Sequence, residues 1–315
     1  METRKIQLIA GTTYSVSLPK DWVVKNKLKE SNEVTIQQKN DGTLIISPSE
    51  IREKKLSEIS LEVERYRGNI DQILFALYYI GLENITLYSK KEMPKDVKAK
   101  IRKTLTHMSG TEISYEDSRK IVVKVLLDKS KVNVPQVIHR VSLITESTLN
   151  NLAEGLSIDE IRVNENEIDR LYHLLAKIIT LALIDSNILH SSGINNVSLI
   201  PSYFLMSKKL EHIGDNASYL GEYLHENNLE VPDKEVVEFL KLEFHRATSH
   251  LMKKDNEIFD KIPFFEVEVQ EKRIQKIKDS RARGYMENIL RLLVDIEEEI
   301  TNNSFYNQLI EEKVL

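Results

Sequence analysis

Two pairs of carboxylates four residues apart are the part of this chain best suited to chemistry. Glu211 and Asp215 form one pair, in the run Lys209-Leu210-Glu211-His212-Ile213-Gly214-Asp215-Asn216-Ala217. Glu165 and Asp169 form the other, in Asn164-Glu165-Asn166-Glu167-Ile168-Asp169. On a helix, positions i and i+4 lie one turn apart on the same face. Like charges there repel unless a cation sits between them. Gly214 precedes the second acid of its pair. A glycine inside a helix costs about 1 kcal/mol relative to alanine, so it marks close approach of another group. If the two helices are antiparallel neighbours, both acid pairs can face one another. An all-oxygen cluster of that kind suits a hard cation such as magnesium, manganese or ferric iron. The plain alternative is a solvated acidic face balanced by lysines.

The remaining residues argue against catalysis. His212 adjoins the first acid of its pair but points about a quarter-turn away. His107, His139, His173, His190, His225, His245 and His250 form no metal-ligand spacing with one another. The default for each is a surface or satisfied interior histidine. The chain has no cysteine, which excludes disulfides, thiolate zinc sites and cysteine nucleophiles. No serine–histidine pattern marks a hydrolase, and a metal-dependent hydrolase would need an enclosed pocket and a positioned water. We therefore expect a non-enzyme.

The elements that hold these residues fall into three zones of a chain of 315 residues. Residues 1–49 read as β. Ile6 and Leu8, then Tyr14, Val16 and Leu18, alternate with polar residues on either side of Gly11-Thr12-Thr13. Asp21–Lys27 reads as a short helix carrying the only tryptophan, Trp22. Val34 and Ile36, then Leu44, Ile45 and Ile46, flank the hairpin turn Asn40-Asp41-Gly42. Four such strands make a small core, marginal alone, of the kind that often needs a partner chain. Residues 50–130 read as a small α/β domain: strand Leu56–Val63, helix Asn69–Ile80, strand Ile85–Tyr88, helix Pro94–His107, and strands Glu112–Tyr115 and Ile121–Leu126. Residues 131–315 read as helical. The helices run Pro135–Ala153, Ile158–Leu189, Leu199–His225, Lys234–Ile262, Val267–Lys278 and Arg281–Asn303, two sets of three that resemble a duplication.

Charge separates the zones. The formal net charge is −5, against a chain that coats nucleic acid along its whole surface. The first 29 residues, however, hold six basic residues (Arg4, Lys5, Lys20, Lys25, Lys27, Lys29) against two acids, Glu2 and Asp21. Such a patch suits phosphate contact, with Thr12, Thr13 and Tyr14 available for hydrogen bonds. A lysine-rich solvated surface is the alternative. No apolar run reaches the roughly 18–20 residues of a membrane span, and the start Met1-Glu2-Thr3-Arg4-Lys5 has no following apolar core of a signal peptide. We expect a soluble cytoplasmic protein without membrane insertion.

Two family resemblances extend this reading. Arg4-Lys5-Ile6-Gln7, Gly11-Thr12-Thr13-Tyr14-Ser15-Val16-Ser17-Leu18-Pro19-Lys20-Asp21-Trp22-Val23 and Asp41-Gly42-Thr43-Leu44-Ile45-Ile46-Ser47-Pro48 resemble the AbrB/MazE/SpoVT group. The resemblance implies a swapped-hairpin β-barrel shared by two chains, and DNA contact through Arg4, Lys5, Thr12, Thr13 and Lys20. Leu210–Ala217 and Asn164–Asp169 are similar to the acid motifs of the PhoU phosphate-uptake regulators. That resemblance implies an all-α bundle of two three-helix repeats and a multinuclear site for a divalent or trivalent metal ion (magnesium, manganese, zinc or iron) at Glu165, Asp169, Glu211 and Asp215. In the second repeat Arg291 stands where an acid belongs, Asp295 remains and Asp255 replaces part of the other motif, which implies a weaker second site. The combination looks like the archaeal PhoU-like regulators with an AbrB-type head. It implies a multidomain α+β homodimer that binds DNA and regulates phosphate uptake, with phosphate ABC transporter components or a signalling protein as partners. The rival expectation is an adaptor that binds no DNA and regulates a phosphate transporter through protein contacts.

Overall fold

The computed structural model describes residues 3–38, 42–48, 57–155, 157–194, 196–253 and 257–312. The chain divides into two compact units, Met1–Ser57 and Glu58–Leu315.

In the first unit, β1 (Gln7–Ile9) and β2 (Thr13–Ser15) form an antiparallel hairpin in the register Ile9↔Thr13. Ala10 and Gly11 turn the chain at φ 51° and 76°. Thr12 N donates to Ile9 O at 3.3 Å. Two successive positive φ angles match the twist of the flanking strands. A short helix α1 (Lys20–Lys25) follows Pro19, which presets the φ needed to enter a helix. β3 (Val34–Gln38) and β4 (Leu44–Pro48) form a second hairpin, pairing Ile36 with Ile46. The expected turn residues Asn40 and Asp41 lie outside the described residues. These two hairpins form separate two-stranded sheets. Pro48 is the only buried residue among those whose burial is described in this unit. Ile6, Leu8, Ile9, Tyr14, Val16, Val24, Ile36, Leu44 and Ile45 are all exposed.

The second unit begins with a four-stranded sheet. β5 (Glu58–Glu62) leads through a 3₁₀ turn into α2 (Ile70–Tyr79) and then β6 (Asn84–Tyr88), which lies parallel to β5. Next come α3 (Lys95–Thr106), β7 (Thr111–Glu116) and β8 (Lys120–Val125). The strand order is β5-β6-β8-β7, and the later pairings are antiparallel. The expected β-α-β-α-β-β order therefore holds. Ile70, Leu74, Leu77 and Tyr78 recur at helical spacing, as do Val97, Ile101 and Leu105. Both apolar stripes bury against Ile85, Leu87, Ile121 and Val123 of the central strands.

The helical part comprises α4 (Val134–Glu154), α5 (Ile158–Ala182), α6 (Ser186–Ser191), α7 (Ile200–Glu226), α8 (Lys234–His250), α9 (Phe264–Ile274) and α10 (Ser280–Glu311). α7 is central, packed against α4, α5 and α10. The outer face of α2 packs on α5, joining sheet to bundle. Among the described residues, no helix is long and apolar enough to cross a membrane.

Two of the expected helices differ from the sequence reading. The expected helix Ile158–Leu189 is two helices, because Asp185 accepts a hydrogen bond from Asn187 N and caps a new start. The expected helix Lys234–Ile262 stops at His250. Beyond it, Phe259 N donates to Ser304 Oγ at 3.0 Å and Ile262 N to Glu297 Oε2 at 2.9 Å. Side chains of α10 thus take the amides a continued helix would have used. The two sets of three are also unequal, since α5 has 25 residues and α9 has 11.

Candidate metal centre

α5 and α7 run antiparallel. Ile168 meets Gly214, and Ile161, seven residues earlier, meets Gly221, seven residues later. Seven residues are about two helical turns, so both contacts lie along one seam. The acids beside that seam converge. One carboxylate oxygen from each of Glu165, Asp169 and Asp215 lies within 4.8 Å of the other two. Among the described residues this is the only such grouping of metal-ligating side chains.

Glu211 stands beside the trio without joining it. Lys208 Nζ donates to its two oxygens at 2.9 and 2.8 Å, and also lies 4.6 Å from the Tyr172 ring centroid. His212 Nε2 is 3.4 Å from Glu211 Oε2. It flanks the acid and does not enter the trio, as its quarter-turn offset predicts.

The electrostatics show unbalanced negative charge. Burial, then the neighbouring Glu165 and Glu211, push Asp169 up to about 7. Burial, then Glu211, Asp169 and Glu165, push Asp215 up to about 7. Glu165 is raised by burial and by Glu222, with Lys103 pulling the other way. Lys208 offsets part of this repulsion at both aspartates. A cation among these oxygens would favour the ionised form of all three. Oxygen donors, convergent geometry and uncompensated charge therefore fit a hard or borderline metal ion.

The sheet layer walls one side of the site, which the sequence alone did not indicate. His107 caps the C-terminal end of α3, and its Nδ1 lies 3.9 Å from Asp169 Oδ2. Burial, helped by Lys103, holds the His107 imidazole below its ordinary pKa. Next to it, His173 of α5 stacks on Phe75 with ring centroids 3.7 Å apart and is hydrogen-bonded to Tyr79 Oη. Burial lowers His173 to about 3. Sixty-odd residues separate His107 from Asp169, so no local spacing could have paired them.

The other expected site residues lie apart. Asp295 accepts a hydrogen bond from Lys209 Nζ through its backbone oxygen at 3.0 Å and belongs to no cluster among the described residues. Asp255 lies outside the described residues. Arg291 is exposed and donates to Asn288 Oδ1 at 3.2 Å. In the first unit, Arg4 and Lys5 precede β1, Thr12 sits in the hairpin turn, Thr13 opens β2 and Lys20 opens α1. All five are exposed.

Comparison with known families agrees with this division. Residues 7–54 match the family profile described as antidote-toxin recognition MazE, bacterial antitoxin. Residues 137–224, which span α4 to α7 and all four acids of the two pairs, match the PhoU domain. Both families are regulatory rather than enzymatic. No curated protein and no solved structure is significantly similar to the chain. One chain thus carries a match to the MazE profile near its N-terminus and a match to the PhoU profile over α4 to α7.

Proposed function

We propose that this chain is a DNA-binding regulator of phosphate uptake or phosphate signalling, with a metal-binding PhoU domain as its sensor. The observation that carries the sensor half is the convergence of Glu165, Asp169 and Asp215 on two helices of the matched PhoU domain. Those three side chains would hold the ion, with Glu211 adding negative charge beside them. A bound cation supplies the positive charge this pocket lacks.

The MazE-type match and the exposed basic residues support DNA contact through Arg4, Lys5, Thr12, Thr13 and Lys20. The exposed apolar residues of the same unit support a homodimer in which hairpins of two chains complete one barrel. Such a dimer would present two symmetric surfaces to DNA half-sites. The bundle would dock on cytoplasmic phosphate ABC transporter components or on a signalling protein.

An adaptor that contacts protein alone is the second reading. Phe264, Phe265 and Val269 of α9 are strongly exposed, which favours a protein-docking role for the bundle.

Fluorescence anisotropy separates the two. Full-length protein is titrated with duplexes from upstream of its own gene and of phosphate-transporter genes, with random duplex as control, at two salt concentrations. The regulator reading expects saturable, fragment-selective binding that Arg4→Ala with Lys5→Ala weakens while the oligomeric state stays unchanged. Weak, sequence-blind binding that vanishes with modest salt would leave only the adaptor.

A further inference from the structure

A nitrogen that approaches one member of the acidic trio, Asp169, comes from outside the segment that matches the PhoU domain. His107 belongs to the sheet layer, where its backbone N donates to Thr104 O at the end of α3. Its Nδ1 is buried and has no hydrogen-bond partner. Polar atoms removed from water are almost always partnered, so an orphan of this kind needs an explanation. The atom in front of it is Asp169 Oδ2, at 3.9 Å. Two donors bound to one ion at about 2.1 Å each stand roughly 3–3.5 Å apart. Within the 4.8 Å that joins the three acids to one another His107 is not yet included, so binding requires its ring to rotate toward Glu165 and Asp215 as well as Asp169.

We propose that His107 completes the site as a nitrogen ligand, so that one bound ion ties α3 of the sheet layer to α5 and α7 of the bundle. Three carboxylates alone suit magnesium or calcium. An imidazole among them shifts preference toward borderline ions such as zinc, nickel or ferrous iron. The sheet layer then determines which metal the PhoU domain accepts, and metal occupancy fixes how firmly the two layers hold together. Lys103, on the same helix, acts on Glu165 and already offsets part of its repulsion. The inference rests on reading the acidic trio as a cation site.

The test uses full-length, chelator-stripped protein and titrates zinc and magnesium chlorides separately by calorimetry. His107→Gln keeps a polar side chain of similar size, and Asp169→Asn serves as the reference for loss of the site. We expect wild type to bind zinc, Asp169→Asn to lose it, and His107→Gln to weaken zinc by roughly tenfold or more while magnesium changes little. X-ray absorption of the zinc-loaded wild type gives a readout independent of any variant's stability. It should show imidazole scattering that His107→Gln lacks. If wild type binds zinc, Asp169→Asn abolishes it, and His107→Gln matches wild type with no imidazole signal, the histidine is not a ligand and the acidic site stands. If wild type binds neither ion, or Asp169→Asn binds as well as wild type, the acidic site falls and this inference falls with it.

Discussion

Gly214 of α7 lies so close to α5 that a Cβ at this position would come within 2.7 Å of Ile168 Cδ1. The same closeness recurs two turns away, where a Cβ on Gly221 would come within 2.7 Å of Ile161 Cδ1. Each isoleucine fills the space a side chain on α7 would have taken. The acids sit directly beside this seam. Asp169 follows Ile168 and Asp215 follows Gly214, so the helix separation set by glycine also sets the distance between the carboxylates.

Gly214→Leu should therefore damage the site and the packing together. Overpacking a close helix contact costs about 1–3 kcal/mol. Metal affinity should fall, because a leucine side chain is too large to be accommodated by a shift of the Ile168 Cδ1 alone and pushes the helices apart. Gly284→Ala in α10 is the control. A Cβ there meets nothing within 4 Å, and removing a helical glycine gains up to about 1 kcal/mol. Urea unfolding and calorimetric titration on both variants check this. A Gly214→Leu protein that is as stable as wild type and binds zinc as tightly would refute the seam argument.

The acid pair also predicts how the metal-free protein responds to pH. Asp169 and Asp215 are raised from an ordinary 3.8 to about 7. Between those values the folded chain binds more protons at these sites than the unfolded chain. Their contribution to stability is thus most favourable below about 4, falls as pH rises and is fully lost above about 7. Both groups are partly solvated, so the effect is discounted to the order of 1 kcal/mol. Asp215→Asn should flatten the fall and raise Tm at pH 8 by about 2–4 °C. Thermal melts in chelator from pH 5 to 8.5 test this. An unchanged slope in the variant would show that Asp215 stays ionised at little cost.

Much of this site was legible in the sequence, for identifiable reasons. The i, i+4 spacing of Glu165 with Asp169 and of Glu211 with Asp215 survives directly as shared faces, because helical periodicity is local. Gly214 was legible as a point of close approach, though its partner was not. Glu211 was expected among the ligands but is engaged by Lys208, three residues earlier. That pairing was available from spacing alone, since i, i+3 neighbours meet on a helix. His107 was not available, because only the docking of α2 on α5 brings α3 to the site. The early end of α8 was likewise hidden, since Ser304 and Glu297 reach it from more than thirty residues away.

Lys177 gives a prediction at the same sheet–bundle junction. Its side chain is fully buried, its Nζ donates to Tyr78 O at 2.6 Å, and it lies 4.1 Å from the Tyr78 ring centroid. Burial, with Lys129 nearby, lowers this amine from 10.5 to about 7. The unfolded chain keeps its proton up to the ordinary value, so between about 7 and 10.5 it binds more protons than the folded chain. Stability from this group is complete above about 10.5 and is lost as pH falls to about 7. Lys177→Met keeps the apolar stem and removes the charge. It should leave stability at pH 7 unchanged or improved and remove the rise toward alkaline pH. Guanidinium unfolding at pH 7 and pH 9.5 reads this. A loss of several kcal/mol at both pH values would mean that the hydrogen bond to Tyr78 outweighs the cost of burying the amine.

The apolar surface of the first unit gives the last prediction. Ile36 and Leu44 are 60% and 62% exposed, on two strands that pair with each other. Among the residues of this unit whose burial is described only Pro48 is buried, and small domains rarely supply enough core alone. The proposed homodimer covers Ile36 and Leu44. A double change, Ile36→Lys with Leu44→Lys, places two charges in that interface, where desolvating them without partners is strongly unfavourable. Sedimentation velocity should show wild type as a dimer and the variant as a monomer whose second unit keeps its helical circular dichroism. DNA affinity should fall in the variant despite its added positive charge, because two half-site contacts become one. A variant that stays dimeric would move the dimer interface away from these strands. A monomeric variant that binds DNA as tightly as wild type would separate dimerisation from DNA contact, leaving Arg4 and Lys5 to act from a single head.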